Sequence, residues 1–203
     1  MNGIFHLHTV YSKGSSIKIE YLVKFIKNRK IDGICITDHS SFKGYEKIKK
    51  LVKIDVVPGI EIDTNFGDVI IIGIEELKNR VYNYNDLVDF VKNNGGLVVL
   101  PHPFDIFRKG VLTKNKEVYF DVLEIFNGRC ILDTFNEKSK MFCKMKNKIG
   151  IAGSDAHFAA ELDNCYLTYE NDFFESIKKG KFKNIINKKS KLVYSILTLI
   201  EKL

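Results

Sequence analysis

The chain has no tryptophan, only three prolines and only four cysteines. The cysteines, Cys35, Cys130, Cys143 and Cys165, stand far apart and form no C-x-x-C pair. That spacing excludes a zinc ribbon and a thioredoxin-like redox motif, and it predicts buried, reduced thiols. No apolar run approaches the roughly 18 residues that a membrane helix needs. No basic-then-apolar leader opens the chain, whose first ten residues already hold His6 and His8. The expectation is a cytoplasmic protein with no membrane partner. No G-x-G-x-x-G or G-x-x-x-x-G-K-[ST] loop is present, so a nucleotide-binding open sheet has no support. Ser154 adjoins Asp155 but lacks the G-x-S-x-G surroundings of a nucleophile elbow.

What is present points to one folded domain spanning residues 1–203. The chain is 45% hydrophobic and 12% aromatic, enough to build a sizeable core. Its net charge of +7 favours anionic partners, either a small phosphorylated substrate or a short nucleic acid. The lysines are spread along the whole chain, so the same charge also reads as a solvated surface. Nothing in the pattern fixes an oligomeric state.

Short apolar runs at 3–9, 33–37, 55–62, 69–74, 97–100, 122–126 and 149–152 predict strands, with a further one at 165–169. Several are apolar at every position, such as Val69-Ile70-Ile71-Ile72, as in strands buried on both faces. Amphipathic stretches at 18–30, 86–94 and 172–179 predict helices between them, and 190–203 predicts a closing helix. Gly95 and Gly180 are placed as C-terminal caps, and Asp172 with Glu175 has capping-box spacing. The alternation gives an α/β fold, a barrel or an open sheet.

Histidine carries the functional signal. There are five, His6, His8, His39, His102 and His157, and each falls at or just beyond the end of a predicted strand. Glu61 and Asp155 end two of the same runs. His6 and His8 are two apart, so strand alternation puts both on one face. In barrel enzymes the site lies at this end of the strands. All three prolines, Pro58, Pro101 and Pro103, sit in these segments as well, consistent with rigid turns. Imidazoles and carboxylates on one rim are a ligand set for Zn, Mn or Fe.

In order along the chain stand His6-Leu7-His8-Thr9, Ile36-Thr37-Asp38-His39, Pro58-Gly59-Ile60-Glu61, Pro101-His102-Pro103 and Gly153-Ser154-Asp155-Ala156-His157. This ordered set resembles the polymerase-and-histidinol-phosphatase (PHP) family over most of the chain. The resemblance implies a distorted seven-stranded (β/α)7 barrel and phosphoester hydrolysis at two or three divalent metal ions. It implies that His6, His8, Glu61 and Asp155 hold the first ion. Glu61 would bridge to a second, shared with His102, and His39 and His157 would belong to a third. Asp38 is expected to support this set without joining it.

Two positions depart from the family pattern. Lys13 stands about where many members carry a third-site Asp, and Asp68 where many carry a His. The expectation is a second site with a more oxygen-rich shell, favouring Mn or Mg over Zn. The third site is expected to be weakened, with the Lys13 ammonium near the phosphate in its place.

Arg108, in the long segment after His102, is expected to meet the substrate phosphate as a planar fork, with Arg129 as a weaker partner. His39, His157 and Lys13 all stand as catalytic acids or bases, and no spacing argument selects among them. The leading activity is hydrolysis of a phosphomonoester by a metal-activated water. The alternatives are a 5′-to-3′ exonuclease acting on short nucleic acid and a non-catalytic, ribonuclease P-like RNA-binding subunit.

Overall fold

A computed structural model of the chain describes residues 1–77, 83–115 and 117–187. The closing helix expected at 190–203 lies outside them. Among the described residues there are nine strands: β1 (Asn2–Leu7), β2 (Gly33–Ile36), β3 (Asp55–Thr64), β4 (Gly67–Ile72), β5 (Leu97–Leu100), β6 (Val122–Asn127), β7 (Ile149–Gly153), β8 (Cys165–Tyr169) and β9 (Phe182–Ile186). Five α-helices accompany them: α1 (Ile19–Arg29), α2 (Lys43–Lys49), α3 (Tyr84–Asn93), α4 (Asp133–Met145) and α5 (Phe173–Lys179). No helix among these residues is long and apolar enough to cross a membrane.

The strands form one sheet in the order β7-β6-β5-β4-β3-β2-β1-β8-β9. The sheet curls until the chain just after β7 meets β1. Ser154 N donates to Phe5 O at 3.0 Å, Asp155 N to His6 O at 2.6 Å, and His8 N to Ala156 O at 2.8 Å. Seven strands thus run round a nearly closed barrel. The sheet as a whole has nine strands rather than the expected seven, because β8 and β9 form an antiparallel pair and β8 adds itself to the start of β1. The simple (β/α) repeat also fails at β4, which pairs antiparallel with both β3 and β5. Its reversal places Gly67 and Asp68, at its start, on the rim where the neighbouring strands end.

Alternation along the strands sorts the core. Phe5, Cys35, Val57, Ile70, Val99, Val122 and Ile151 belong to one apolar cluster, with Phe173 of α5. Ile4, Leu7, Ile34 and Ile36 pack instead against Ile19, Leu22, Phe25 and Ile26 of α1 and Ile48 of α2. Ile60, Ile62, Val69, Ile71 and Val98 pack against Tyr84, Leu87, Val88 and Val91 of α3. Phe173 reaches Gly3 and Gly33, where a Cβ would lie 2.3 Å and 2.7 Å from its ring. Glycine at both positions admits this ring at the end of the barrel opposite His6.

The caps follow their chemistry. Asp172 accepts from Glu175 N, and Gly180 ends α5 with φ +64°. Asn83 accepts from Asn85 N at the start of α3, whose C-cap is Asn94, with Gly95 next at φ +74°. Helices α2 and α4 and strand β9 lie outside the expected elements. α4 buries Phe135, Phe142 and Cys143 together with polar Asn136 and Ser139, which dilutes its apolar stripe.

Candidate metal centre

β1 carries a bulge at its functional end. Phe5 pairs with Cys35 and Leu7 with Ile36, so His6 is the extra residue, and its φ is +59°. In an unbroken strand His6 would lie on the face of Ile4, against α1. The bulge instead leaves Ile4 and Leu7 in the outer layer and turns His6 inward with His8. His102 (φ +31°) and Asp155 (φ +51°) also hold left-handed backbone. Strain of this kind costs about 1–3 kcal/mol per residue and persists where the surroundings over-determine it.

The inward side chains converge. His6 Nε2 and His8 Nε2 are 3.2 Å apart. Glu61 Oε2 lies 3.3 Å from the first and 3.2 Å from the second. Asp155 Oδ1 lies 3.5 Å and 3.4 Å from the same two nitrogens. All four residues are at most 3% exposed. A tetrahedral ion with N and O ligands at about 2.0–2.2 Å requires edges of about 3.3–3.6 Å. The five measured edges span 3.2–3.5 Å, close to that spacing; His6, His8 and Glu61 form a group able to surround an ion, with Asp155 Oδ1 against both histidines.

The two oxygens of Glu61 part company. While Oε2 faces His6 and His8, Oε1 lies 3.2 Å from His102 Nε2. Glu61, Asp68 and His102 form a second group able to surround an ion, so Glu61 belongs to both groups. His8, His39 and His157 form a third group. Its rings are close, with His8 4.6 Å from His39 and 4.2 Å from His157 between centroids. His8 Nε2 already belongs to the first group, and His8 Nδ1 pairs with Ser12 Oγ at 3.0 Å.

Electrostatics describe a centre that demands positive charge. Burial alone would lower His6, but Asp155, Glu124 and Glu61 outweigh it and raise its pKa well above the ordinary value. Burial would raise Asp155, but His6 and Arg108 prevail and hold it well below the ordinary range. Glu61 is likewise held low, with His6 and His102 overcoming its burial. Asp68 goes the other way: burial and then the charge of Glu61 push it up to about 7. Burial and the nearby His8 push His157 down to about 2, so its ring is neutral. Burial lowers His39 too.

The remaining site expectations fall in different places. A cavity of about 220 Å³ is lined by His39, Glu61, Asp68, His102, Asp155 and His157, with Phe107, Arg108, Lys109 and Arg129 on its walls. Arg108 is not a free fork in this wall. Its guanidinium binds Asp155 Oδ2, Asp105 Oδ2 at 3.0 Å and Asn127 Oδ1 at 2.9 Å. Arg129 places Nε 3.3 Å from Glu161 Oε1, and Glu161 Oε2 in turn accepts from His157 N at 2.7 Å. Lys13 is exposed on the turn after His8 and lines no part of the cavity. Asp38 accepts from Thr9 N at 2.5 Å and Thr9 Oγ1 at 2.7 Å, bracing the loop behind His8.

Four supporting residues were not legible from sequence: Ser12, Asp105, Glu124 and Asn127. Each is a common residue type without a motif. The only available signal was Glu124 itself, a lone acid inside the apolar run 122–126.

The PHP domain model matches residues 5–179. An uncharacterized protein of Methanocaldococcus jannaschii is 33% identical over 173 residues, covering 81% of this chain and 68% of its own length. A protein of Caldicellulosiruptor saccharolyticus named "Probable phosphatase" is 26% identical, covering 80% of this chain and 83% of its own. Among solved structures, PsfC of Pseudomonas syringae superposes with a TM-score of 0.75 at 15% identity, covering 100% of this chain and 98% of its own. A Bifidobacterium adolescentis protein named for metal-dependent phosphoesterase activity superposes with a TM-score of 0.57 at 12% identity, covering 97% and 95%. These two likenesses establish the fold.

Proposed function

We infer, since the chain belongs to the PHP domain family, that it is a metal-dependent hydrolase whose substrate is a phosphomonoester and whose centre holds two divalent cations. The observation that carries this reading is the convergence of His6 Nε2, His8 Nε2, Glu61 Oε2 and Asp155 Oδ1 at cation-sized spacing, with Glu61 Oε1 turned to His102. In this reading His6, His8, Asp155 and Glu61 hold the first cation, and Glu61, Asp68 and His102 the second. Cations held there supply Lewis acidity, polarising a phosphoryl group and lowering the pKa of water.

The count of two rests on His8. A third cation would need His8 as well as His39 and His157, and the Nε2 of His8 is already directed at the first group. We assign His39 the proton transfer to the leaving oxygen, because its side chain is 40% exposed at the mouth of the cavity. His157 is buried and neutral, and we assign it to orienting the phosphate. Lys13 receives no role. Arg108 acts on the reaction through Asp155, and Arg129 through the 157–158 backbone that Glu161 holds.

A small substrate is favoured by the size of the cavity, about 220 Å³. That is below the roughly 300–1,000 Å³ of sites that enclose whole drug-sized ligands. It suits a terminal phosphate with its organic part directed outward. The test is a panel of phosphomonoesters and phosphodiesters assayed with Mn, Mg and Zn after chelation. Turnover of monoesters that vanishes on chelation and returns with one of these metals is the expected result. Turnover indifferent to chelation would overturn the reading. Preference for oligonucleotides with a steep loss in salt would move the protein to the exonuclease reading.

A further inference from the structure

Glu124 lies in the interior beneath the two proposed cation sites. It is 1% exposed and belongs to neither. It meets three donors. Its Oε1 is 2.7 Å from His6 Nδ1. Its Oε2 accepts from His102 N at 2.6 Å and from Asn127 Nδ2 at 2.8 Å. With Glu124 Oε1 accepting at Nδ1, the ring of His6 would turn Nε2 toward the cluster. The room for this contact is made on the next strand. A Cβ on Gly153 would fall 1.7 Å from Glu124 Oε1.

We propose that Glu124 is a positioning residue that serves both halves of the centre at once: one oxygen fixes the ring of His6, and the other pins the backbone of His102. This rests on the metal-centre reading given above. His6 belongs to the first group and His102 to the second, so a single buried carboxylate holds one member of each. The His102 contact matters because that residue holds left-handed backbone, at φ +31°, and its amide needs a fixed acceptor. Asn127 ties the same arrangement to Asp155, whose Oδ2 it approaches at 3.0 Å.

The three-donor pattern makes Glu124→Gln informative. An amide has one oxygen and one NH2 group. The oxygen satisfies the position that faces two donors, His102 N and Asn127 Nδ2. The NH2 group then faces His6 Nδ1, which must become an acceptor. The ring proton moves to Nε2, the atom that should meet the cation. The shape is retained and the tautomer is inverted.

The experiment titrates the metal-free chain with Zn or Mn alone, by calorimetry, for the unsubstituted protein and for Glu124→Gln. It also records the imidazole 15N and ring N–H resonances of the zinc-loaded proteins. We expect the first ion to bind about 10- to 100-fold more weakly in Glu124→Gln. We also expect a hydrogen-bonded Nδ1–H signal from His6 in the unsubstituted protein that disappears in the variant. Gly153→Ala, whose Cβ would displace the same carboxylate and lie 3.1 Å from His6 Cβ, should also weaken binding. Equal affinity and an unchanged His6 tautomer in Glu124→Gln would overturn the proposal while leaving the metal centre intact. The proposal also stands or falls without any variant: zinc bound through His6 Nδ1 in the unsubstituted protein would refute it. Absence of metal binding by the unsubstituted protein would overturn the metal centre and this inference together.

Discussion

The two ends of the barrel solve opposite problems. At one end, β1 and β2 begin in regular register, Gly3 against Gly33 and Ile4 against Ile34, and the ring of Phe173 fills the space that the two glycines leave. At the other end the register of β1 slips, His6, His102 and Asp155 take left-handed backbone, and charged groups stand buried within 3.5 Å of one another. The first end gains stability from close packing of apolar surface. The second gives up regular backbone and solvation so that lone pairs from distant segments meet at one point. Substitutions should therefore divide cleanly, with the rim changing activity and the plug changing stability.

The largest expected effect breaks the rim. Glu61→Ala removes the one carboxylate that faces both groups. It should lower kcat/KM by at least about 10²–10³-fold and abolish retention of the second ion, while far-ultraviolet circular dichroism stays native. Steady-state kinetics and metal analysis on the same preparation check both halves. The matching break at the other end is Phe173→Ala, which should cost about 3–5 kcal/mol by denaturant unfolding. Its kcat per folded molecule should match that of the unsubstituted protein. Lost turnover in fully folded Phe173→Ala would show that the two ends are coupled.

A smaller effect belongs to Arg108. Arg108→Ala leaves Asp155 Oδ2 with Asn127 as its remaining partner and Asp105 without its cation, and it should lower metal affinity by about 10- to 100-fold. A change confined to KM, with metal affinity unaltered, would return Arg108 to direct contact with the phosphate. pH sharpens the rim further. Asp68, pushed up to about 7, is protonated below that pH and must release its proton before a cation can take its place. Affinity at the second site should thus fall about tenfold per unit as pH drops below about 7 and level off above it. Calorimetry at several pH values would detect this, and Asp68→Asn should flatten the profile. The smallest effect is expected at Lys13, exposed and outside the cavity. Lys13→Ala should shift stability by no more than about 0.5 kcal/mol, and kcat/KM should stay level.

The sequence was most informative where physics leaves few choices. Val69-Ile70-Ile71-Ile72, short, β-branched and apolar at every position, reads as a strand covered on both sides, and all four residues are buried. Histidines are scarce, so five of them at strand ends gave a signal that survives the absence of any structure. What could not be read depends on pairing. The reversal of β4 leaves no mark on its own residues, since an antiparallel and a parallel strand bury the same side chains. The bulge at His6 is equally silent, yet without it His6 would face α1. Glu124, Asn127 and Asp105 act through contacts with residues distant in sequence, and no local spacing announces them. The additional pair β8 and β9 escaped in part because Phe182-Lys183-Asn184-Ile185-Ile186 does not alternate cleanly.

The most direct test of the centre is the metal content per chain, measured by elemental mass spectrometry after reconstitution with Mn and removal of the excess. The account predicts two retained ions per chain, falling to one or none in Glu61→Ala. Retention of no ion by the unsubstituted protein would contradict it.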